Sequence, residues 1–228
     1  MTPMGIRTLI IGAGGNAQVI AEALLSPTFK RDGYELVGFL DDDPDLLSTQ
    51  ILGRPVFGPV SALKDVLHDV VIIGIGDNKT RLRIFHQLSA FGEEFATFIH
   101  PSAVVSPSVK IGKGTAVFKR VIINTGAIIE DNVILRSGCT VGHHCYVASH
   151  SYVSAGACLG GGVKIGKGVV IGLGSSVLQN ITIGEWATVE PKAAVIRDIA
   201  AQTTVAGVPA EVVSSTTESD GRQFPTMF

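Results

Sequence analysis

Three of the six histidines in this 228-residue chain, His143, His144 and His150, fall within eight residues of one another. A positioned imidazole takes up a proton near neutral pH, so a cluster of this kind suits general-base catalysis on an attacking nucleophile. Further along stands Gly160-Gly161-Gly162, a run without side chains. Its bare N–H groups could face a developing oxyanion, and its open surface leaves room for a thin ligand arm. Three histidines are also a zinc-ligand set, but His143 and His144 are neighbours and cannot easily reach one ion together. Cys139, Cys145 and Cys158 form no CxxC pair and are too few for a disulfide framework.

The element that must position these residues shows as a period. From Ile99 to Val195 an aliphatic residue recurs at every sixth position, through Val105, Ile111 and Val117 and onward without a break. Two places before each stands a compact residue, such as Val121, Cys139, Cys145, Ser151 or Ala157. Positions two apart share a face of a strand, and a six-residue repeat is the mark of a parallel β-helix with three hexads per triangular coil. Both columns are therefore predicted to face inward, which assigns Cys139 and Cys145 to the core. His143 and His144 follow the inward Val141 at a corner, and His150 takes the place of His144 on the next corner. Residues 18 apart stack at about 4.8 Å. Gly160-Gly161-Gly162 then lies over Gly142-His143-His144, with Asn124-Thr125-Gly126 on the coil before. This corner is the predicted active site.

Ahead of the hexads the pattern is that of a small parallel α/β sheet. Strands are predicted at 8–11, 34–40 and 70–75 and helices at 16–25, 61–67 and 78–90, with 95–99 closing the series. Gly12-Ala13-Gly14-Gly15-Asn16 follows the first strand, Asp41-Asp42-Asp43-Pro44 the second, and Gly74-Ile75-Gly76-Asp77-Asn78 the third, with Asn78 as expected helix cap. Ligands of such sheets bind beyond these strand ends, where a carboxylate meets a ribose or base. A solvated acidic turn is the alternative for Asp41 and Asp42. The predicted domains are a Rossmann-like half at 1–98, a β-helix at 99–199 and a C-terminal segment at 200–228, with His100-Pro101 as hinge.

The formal net charge is −2 and no basic run occurs, which argues against nucleic-acid or membrane-surface partners. Polar residues and glycine interrupt every apolar run before it reaches a membrane-spanning length of about 18 residues. The first residues lead into a strand without a signal-peptide pattern, so a soluble, cytoplasmic protein is expected.

The hexads, with Gly12-Ala13-Gly14-Gly15 before them and Ala206-Gly207-Val208-Pro209-Ala210 after, resemble the hexapeptide-repeat sugar acyltransferases. These bacterial enzymes acetylate nucleotide-linked 4-amino-sugars or sialic acid. The resemblance implies a left-handed β-helix, a homotrimer, acetyl-CoA as co-substrate in a groove between rods, and a nucleotide-linked amino-sugar held by the N-terminal domain. It implies His143 as the catalytic base, with His144 and His150 as the alternative bases, and no metal. Gly12, Gly14, Gly15, Asn16, Asp41, Asp42, Gly76, Asn124 and Thr125 are then expected to bind the sugar nucleotide. Tyr152, Gly161, Gly162, Gly174, Gly207 and Pro209 are expected along the coenzyme.

Three positions depart from the family pattern. Gly142-His143-His144 replaces a Glu-His-Asp run, Tyr152 replaces a histidine, and Arg136-Ser137 replaces an Asn-Thr pair. An alignment that skips one hexad would bring in Ala148-Ser149-His150 instead. Sugar O-acetylation of the sialic acid type is the alternative activity. A zinc-dependent, carbonic anhydrase-like β-helix and a non-catalytic nucleotide-sugar-binding subunit are the readings of another class.

Overall fold

The computed structural model describes residues 5–27, 29 and 33–215, so the first four residues and most of the polar tail lie outside it. The chain divides into two compact units, with the division after Pro101.

In the first unit, strand β1 (Ile6–Ile11) runs into the glycine turn and helix α1 (Gly15–Leu25). Strand β2 (Tyr34–Leu40) follows, then a short hairpin of β3 (Gln50–Ile51) and β4 (Arg54–Pro55) absent from the sequence reading. A 3-10 turn at Val60–Asp65, strand β5 (Val70–Ile73) and helix α2 (Asn78–Ala90) complete the unit. The sheet order is β2-β1-β5, all parallel, as expected for half of a nucleotide fold. Leu9, Ile11, Val71 and Ile73 are buried against Ile84 and Leu88 of α2. The final run, 95–99, contributes only a bridge at Phe95 and a two-residue strand, Phe98–Ile99. The helix cap is Asp77, not Asn78: its Oδ1 accepts from Thr80 N–H at 2.7 Å. Asn78 is instead a buried first-turn residue that accepts from the Arg81 guanidinium at 2.8 Å.

The second unit is a parallel β-helix. Each hexad contributes a two-residue strand, and strands 18 residues apart pair in parallel, as in Ile122↔Thr140↔Cys158 and Val141↔Leu159. Three sheets form the sides of the triangle. From Val117 to Val195 the aliphatic column is 3% exposed or less, and most of the compact column is equally buried. Val105 and Ile111 are only partly buried, because the coil that would cover them from below is missing, and Ile99 is exposed. Polar members of the inner column bond to nearby backbone. Thr115 Oγ1 donates to Glu130 O at 2.7 Å, Ser151 Oγ to Gly166 O at 2.9 Å, and Ser175 Oγ to Gly172 O at 2.8 Å.

Every corner has one backbone device. Three places after the inward aliphatic residue, from 114 to 192 in steps of six, the chain adopts φ between 55° and 73°. Glycine takes such angles freely, other residues at some cost. Half of these sites nonetheless carry side chains: Arg120, Asn132, His144, His150, Asn180, Trp186 and Lys192. Several of those side chains lie over the equivalent glycine of the preceding coil. A Cβ on Gly126 would sit 2.6 Å from His144 Cδ2, and one on Gly168 would sit 2.5 Å from the Trp186 ring.

The hexads do not end at Val195. The next two inward residues are Ile199 and Val205, buried and bridged to Ile183 and Val189, only 16 residues back. The last coil is thus two residues short, which breaks the spacing but continues the rod. Thr203–Ala206 then pairs antiparallel with Glu211–Ser215.

Candidate active site

His143 and His144 sit on the corner between the sheet containing Thr140–Val141 and that containing Tyr146–Val147, and both are exposed. The stacking deduced from the period is observed. His144 N–H donates to Thr125 O on the coil before at 2.9 Å, and Gly162 N–H donates to His143 O from the coil after at 2.8 Å. The two imidazoles meet through Nδ1, 3.1 Å apart, with their rings inclined at 76°. His143 reaches toward the following coil: a Cβ on Gly161 would fall nearest its Nε2, with Cε1 at 2.5 Å. His144 leans the other way, over Gly126.

The glycine triplet is less open than its sequence implies. Gly160 N–H donates to Val177 O and Gly162 N–H to His143 O, so two of its three amides belong to the rod. Among the described residues no acceptor takes Gly161 N–H. The base edge of His143 therefore lies against the residue whose N–H is uncommitted.

A Cβ on Gly142 would lie 2.6 Å from the carbonyl carbon of Gly160, so glycine here lets the next coil pack closer than any side chain would. On the coil before, Asn124 Nδ2 donates to Val141 O at 3.0 Å, while Thr125 Oγ1 shares a 2.9 Å hydrogen bond with Ser108 Oγ. Asn124 braces the corner, and the exposed Thr125 lies along the same edge as His143.

His150 is not a solvent-facing corner residue. It is 4% exposed, and its Nδ1 accepts from Asn132 Nδ2 at 2.7 Å, the preceding coil carrying asparagine at this corner rather than glycine. Sequence reasoning missed the polar group around it. The Glu130 carboxylate accepts from Ser149 N–H at 2.8 Å, from Ser149 Oγ at 2.6 Å and from Tyr146 OH. Burial pushes the Glu130 carboxyl up, but these hydrogen bonds outweigh it and hold the group below its ordinary value. Stacking by 18 would have placed Glu130 next to Ala148 and Ser149 had acidic residues been searched as closely as histidines.

Tyr152 stands on the sheet containing Ile134 and Val170, the side of the triangle opposite the His143 corner. One chain does not bring the two together. Gly174 lies on a third corner, with Arg136 and Ser137 two coils before; the Arg136 guanidinium sits 4.4 Å over the Phe118 ring. Gly207 and Pro209 lie at the end of the rod, where Ala194 N–H donates to Gly207 O at 3.0 Å and Ala210 N–H to Ala194 O at 2.8 Å. Cys139 and Cys145 are buried, and burial pushes the Cys139 thiol up to about 12 and raises that of Cys145. Among the described residues no group of three or more His, Cys, Asp or Glu side chains is placed to hold a metal ion. A concavity of about 350 Å³ lies instead at the rod's end, between Arg197, Thr203 and Glu211.

In the first unit, the predicted sugar-nucleotide residues converge at the C-terminal strand ends. Gly12 has φ 92° and abuts Ile75, and Gly14 caps α1 without any side-chain hydrogen bond. Gly14 and Gly15 are exposed. Asn16 lies over Gly76, whose Cβ would be 2.8 Å from its Nδ2. Asp41 Oδ2 accepts from Ala13 N–H at 2.6 Å and Oδ1 from Asp43 N–H at 2.9 Å, so this carboxylate shapes the glycine turn. Asp42 Oδ1 accepts from Val60 N–H at 2.8 Å. Buried Arg81, unnoticed in the sequence, donates to Gly76 O at 2.9 Å and Ile75 O at 3.2 Å, pinning the third loop.

A parallel β-helix of hexads with an exposed imidazole at a glycine-flanked corner, preceded by a small parallel sheet unit, defines the acyltransferase class of β-helix proteins. Comparison with known proteins narrows this. Residues 7–88 match the family described as PglD N-terminal domain. The acetyltransferase domain of PglB from Neisseria gonorrhoeae FA1090 superposes with a TM-score of 0.84 at 32% identity, over 92% of this chain and 100% of that one. PerB from Caulobacter crescentus, solved in complex with CoA and GDP-perosamine, gives 0.82 at 33%, over 91% and 97%. The UDP-N-acetylbacillosamine N-acetyltransferase of Bacillus subtilis (strain 168) is 34% identical over 110 residues, 46% of this chain and 48% of that protein. The matched segment thus spans about half of that curated relative. The chain belongs to the hexapeptide-repeat sugar acyltransferase family, with its left-handed parallel β-helix.

Proposed function

We propose that the chain transfers the acetyl group of acetyl-CoA to the amine of a nucleotide-linked amino-sugar, with His143 as general base. The observation that carries this reading is the His143 Nε2 edge lying against Gly161, a residue whose N–H no acceptor takes among the described residues. The amine nitrogen attacks the thioester carbonyl carbon while His143 Nε2 takes its proton. Gly161 N–H donates to the oxyanion that forms. Collapse of this intermediate breaks the C–S bond, and the thiolate leaves and recovers the proton as free CoA. Relatives solved with acetyl-CoA, or with CoA and GDP-perosamine, support the two substrates.

The base corner is convex and exposed, and Tyr152 faces the other way, so the site takes its full form between neighbouring rods in a closed oligomer, most simply a trimer. The strand ends around Gly12, Gly14, Asn16 and Gly76 bind the nucleotide part, and the thioester end of the coenzyme reaches the His143 corner. Gly162 and Gly174 leave less room for its pantetheine arm than expected, because Asn180 and Lys192 lie over them. Among the described residues no helix is long and apolar enough to cross a membrane.

The test is a panel of uridine, thymidine, guanosine and cytidine amino-sugars with acetyl-CoA, followed by release of free thiol, with the hydroxyl counterpart of each sugar in parallel. His143→Ala is expected to lower kcat by about 10²- to 10⁴-fold with acetyl-CoA binding unchanged. Near-normal turnover in that variant removes His143 as base. Transfer to the hydroxyl sugars alone makes the chain an O-acetyltransferase.

A further inference from the structure

We infer that His144 is a positioning residue that directs the lone pair of His143 outward. This rests on the assignment of His143 as base. The two rings share a hydrogen bond through Nδ1 at 3.1 Å, and among the described residues no carboxylate bonds to either ring. Such a contact needs one protonated and one bare Nδ1. When His143 is the donor, its own proton is on Nδ1 and its lone pair is on Nε2, the atom beside Gly161. Proton uptake at Nε2 then makes His143 an imidazolium whose Nδ1–H still donates to the Nδ1 lone pair of His144. The hydrogen bond becomes charge-assisted as the reaction proceeds, so it favours the transition state over the ground state. A carboxylate would do the same with a full negative charge. Here a neutral ring does it, from the position next in sequence.

The placement of His144 is built into the backbone. Its φ is 55°, its N–H is held by Thr125 O, and its ring occupies the space that Gly126 leaves open. The left-handed conformation also provides the controls. Glycine adopts it freely, and asparagine and aspartate do so more readily than other residues. The Oδ1 of either has the same place on its side chain as Nδ1 of histidine.

His144→Gly is expected to lower kcat by about 10- to 100-fold, the worth of one charge-assisted hydrogen bond, with KM for both substrates little changed. His144→Asn and His144→Asp should restore most of the loss by supplying the acceptor. Nitrogen-15 NMR of the wild-type protein should find neutral His143 protonated at Nδ1, and the glycine variant should lose that preference. Full turnover in folded His144→Gly while His143→Ala is inactive overturns the positioning role and leaves the base assignment standing. An Nε2-protonated neutral His143 in the wild-type protein overturns the positioning role and proton uptake at Nε2 together. Activity in His143→Ala overturns both.

Discussion

Replacing Gly161 with alanine isolates the geometry of the proposed base. Gly161 is not in the left-handed region, so alanine meets no backbone penalty there, and the rod's own ladder does not use its N–H. The atoms nearest the added Cβ all belong to the His143 ring, with Cε1 at 2.5 Å and Nε2 nearer still. Ordinary contact needs about 3.4 Å, so the ring must retreat by about 1 Å, a displacement that can cost about 10² in rate when a catalytic group is moved. The loss should fall between this and the 10²- to 10⁴-fold expected for removing the base. Single-turnover acetyl transfer with thermal melting as control measures it, and the melting temperature should stay near that of the wild type. The double variant with His143→Ala decides the cause. Two changes acting through one group are not additive, so the double variant should be no slower than His143→Ala alone. A folded Gly161→Ala with wild-type turnover would refute the placement of the base, and a further fall in the double variant would show that alanine blocks the coenzyme instead.

The thiols and the surface ion pair give independent checks. Iodoacetamide at neutral pH should modify Cys158, which is exposed, and leave Cys139 and Cys145 untouched until the rod unfolds, as read by peptide mass spectrometry. Rapid labelling of Cys139 would contradict its inward position. Hydrogen bonds from Arg7 N–H and the Arg7 guanidinium hold the Asp69 carboxyl at about 2. Because this value is depressed, any stability it contributes is present above the unfolded value of about 3.9 and lost as pH falls toward 2. Carbon-13 NMR should show the low midpoint in the wild-type protein and a return toward about 3.9 in Arg7→Gln.

The rod was legible because a β-helix needs one inward aliphatic residue per hexad and nothing in the chain obscures that column. The corner of His143 followed from counting alone. What counting could not supply was the direction of side chains. His144 and His150 occupy equivalent corner positions, with φ 55° and 65°, yet one is exposed and the other buried. His144 leans over Gly126 while His150 is hydrogen-bonded to Asn132, contacts between residues 18 apart that neither histidine shows by type. The two-residue slip before Ile199 was invisible because a period search stops at its first irregularity, although the core continues through it. In the first unit the strands were readable from apolar runs, but the short hairpin at Gln50–Pro55 has no run to reveal it. Asp77 and Asn78 are both good caps by type, and only the Thr80 N–H contact separates them.

The overlap of each corner side chain with the residue 18 before it also constrains how this protein can have changed over time. An imidazole at 144 is tolerated in its present pose only while 126 has no side chain. A lineage that lost this glycine would have to turn the His144 ring to another pose, and the neighbouring corner shows one outcome, with His150 hydrogen-bonded to Asn132 on the coil before. The glycine therefore fixes where the imidazole points rather than whether one can stand there, and the same holds for Gly162 under Asn180 and Gly168 under Trp186.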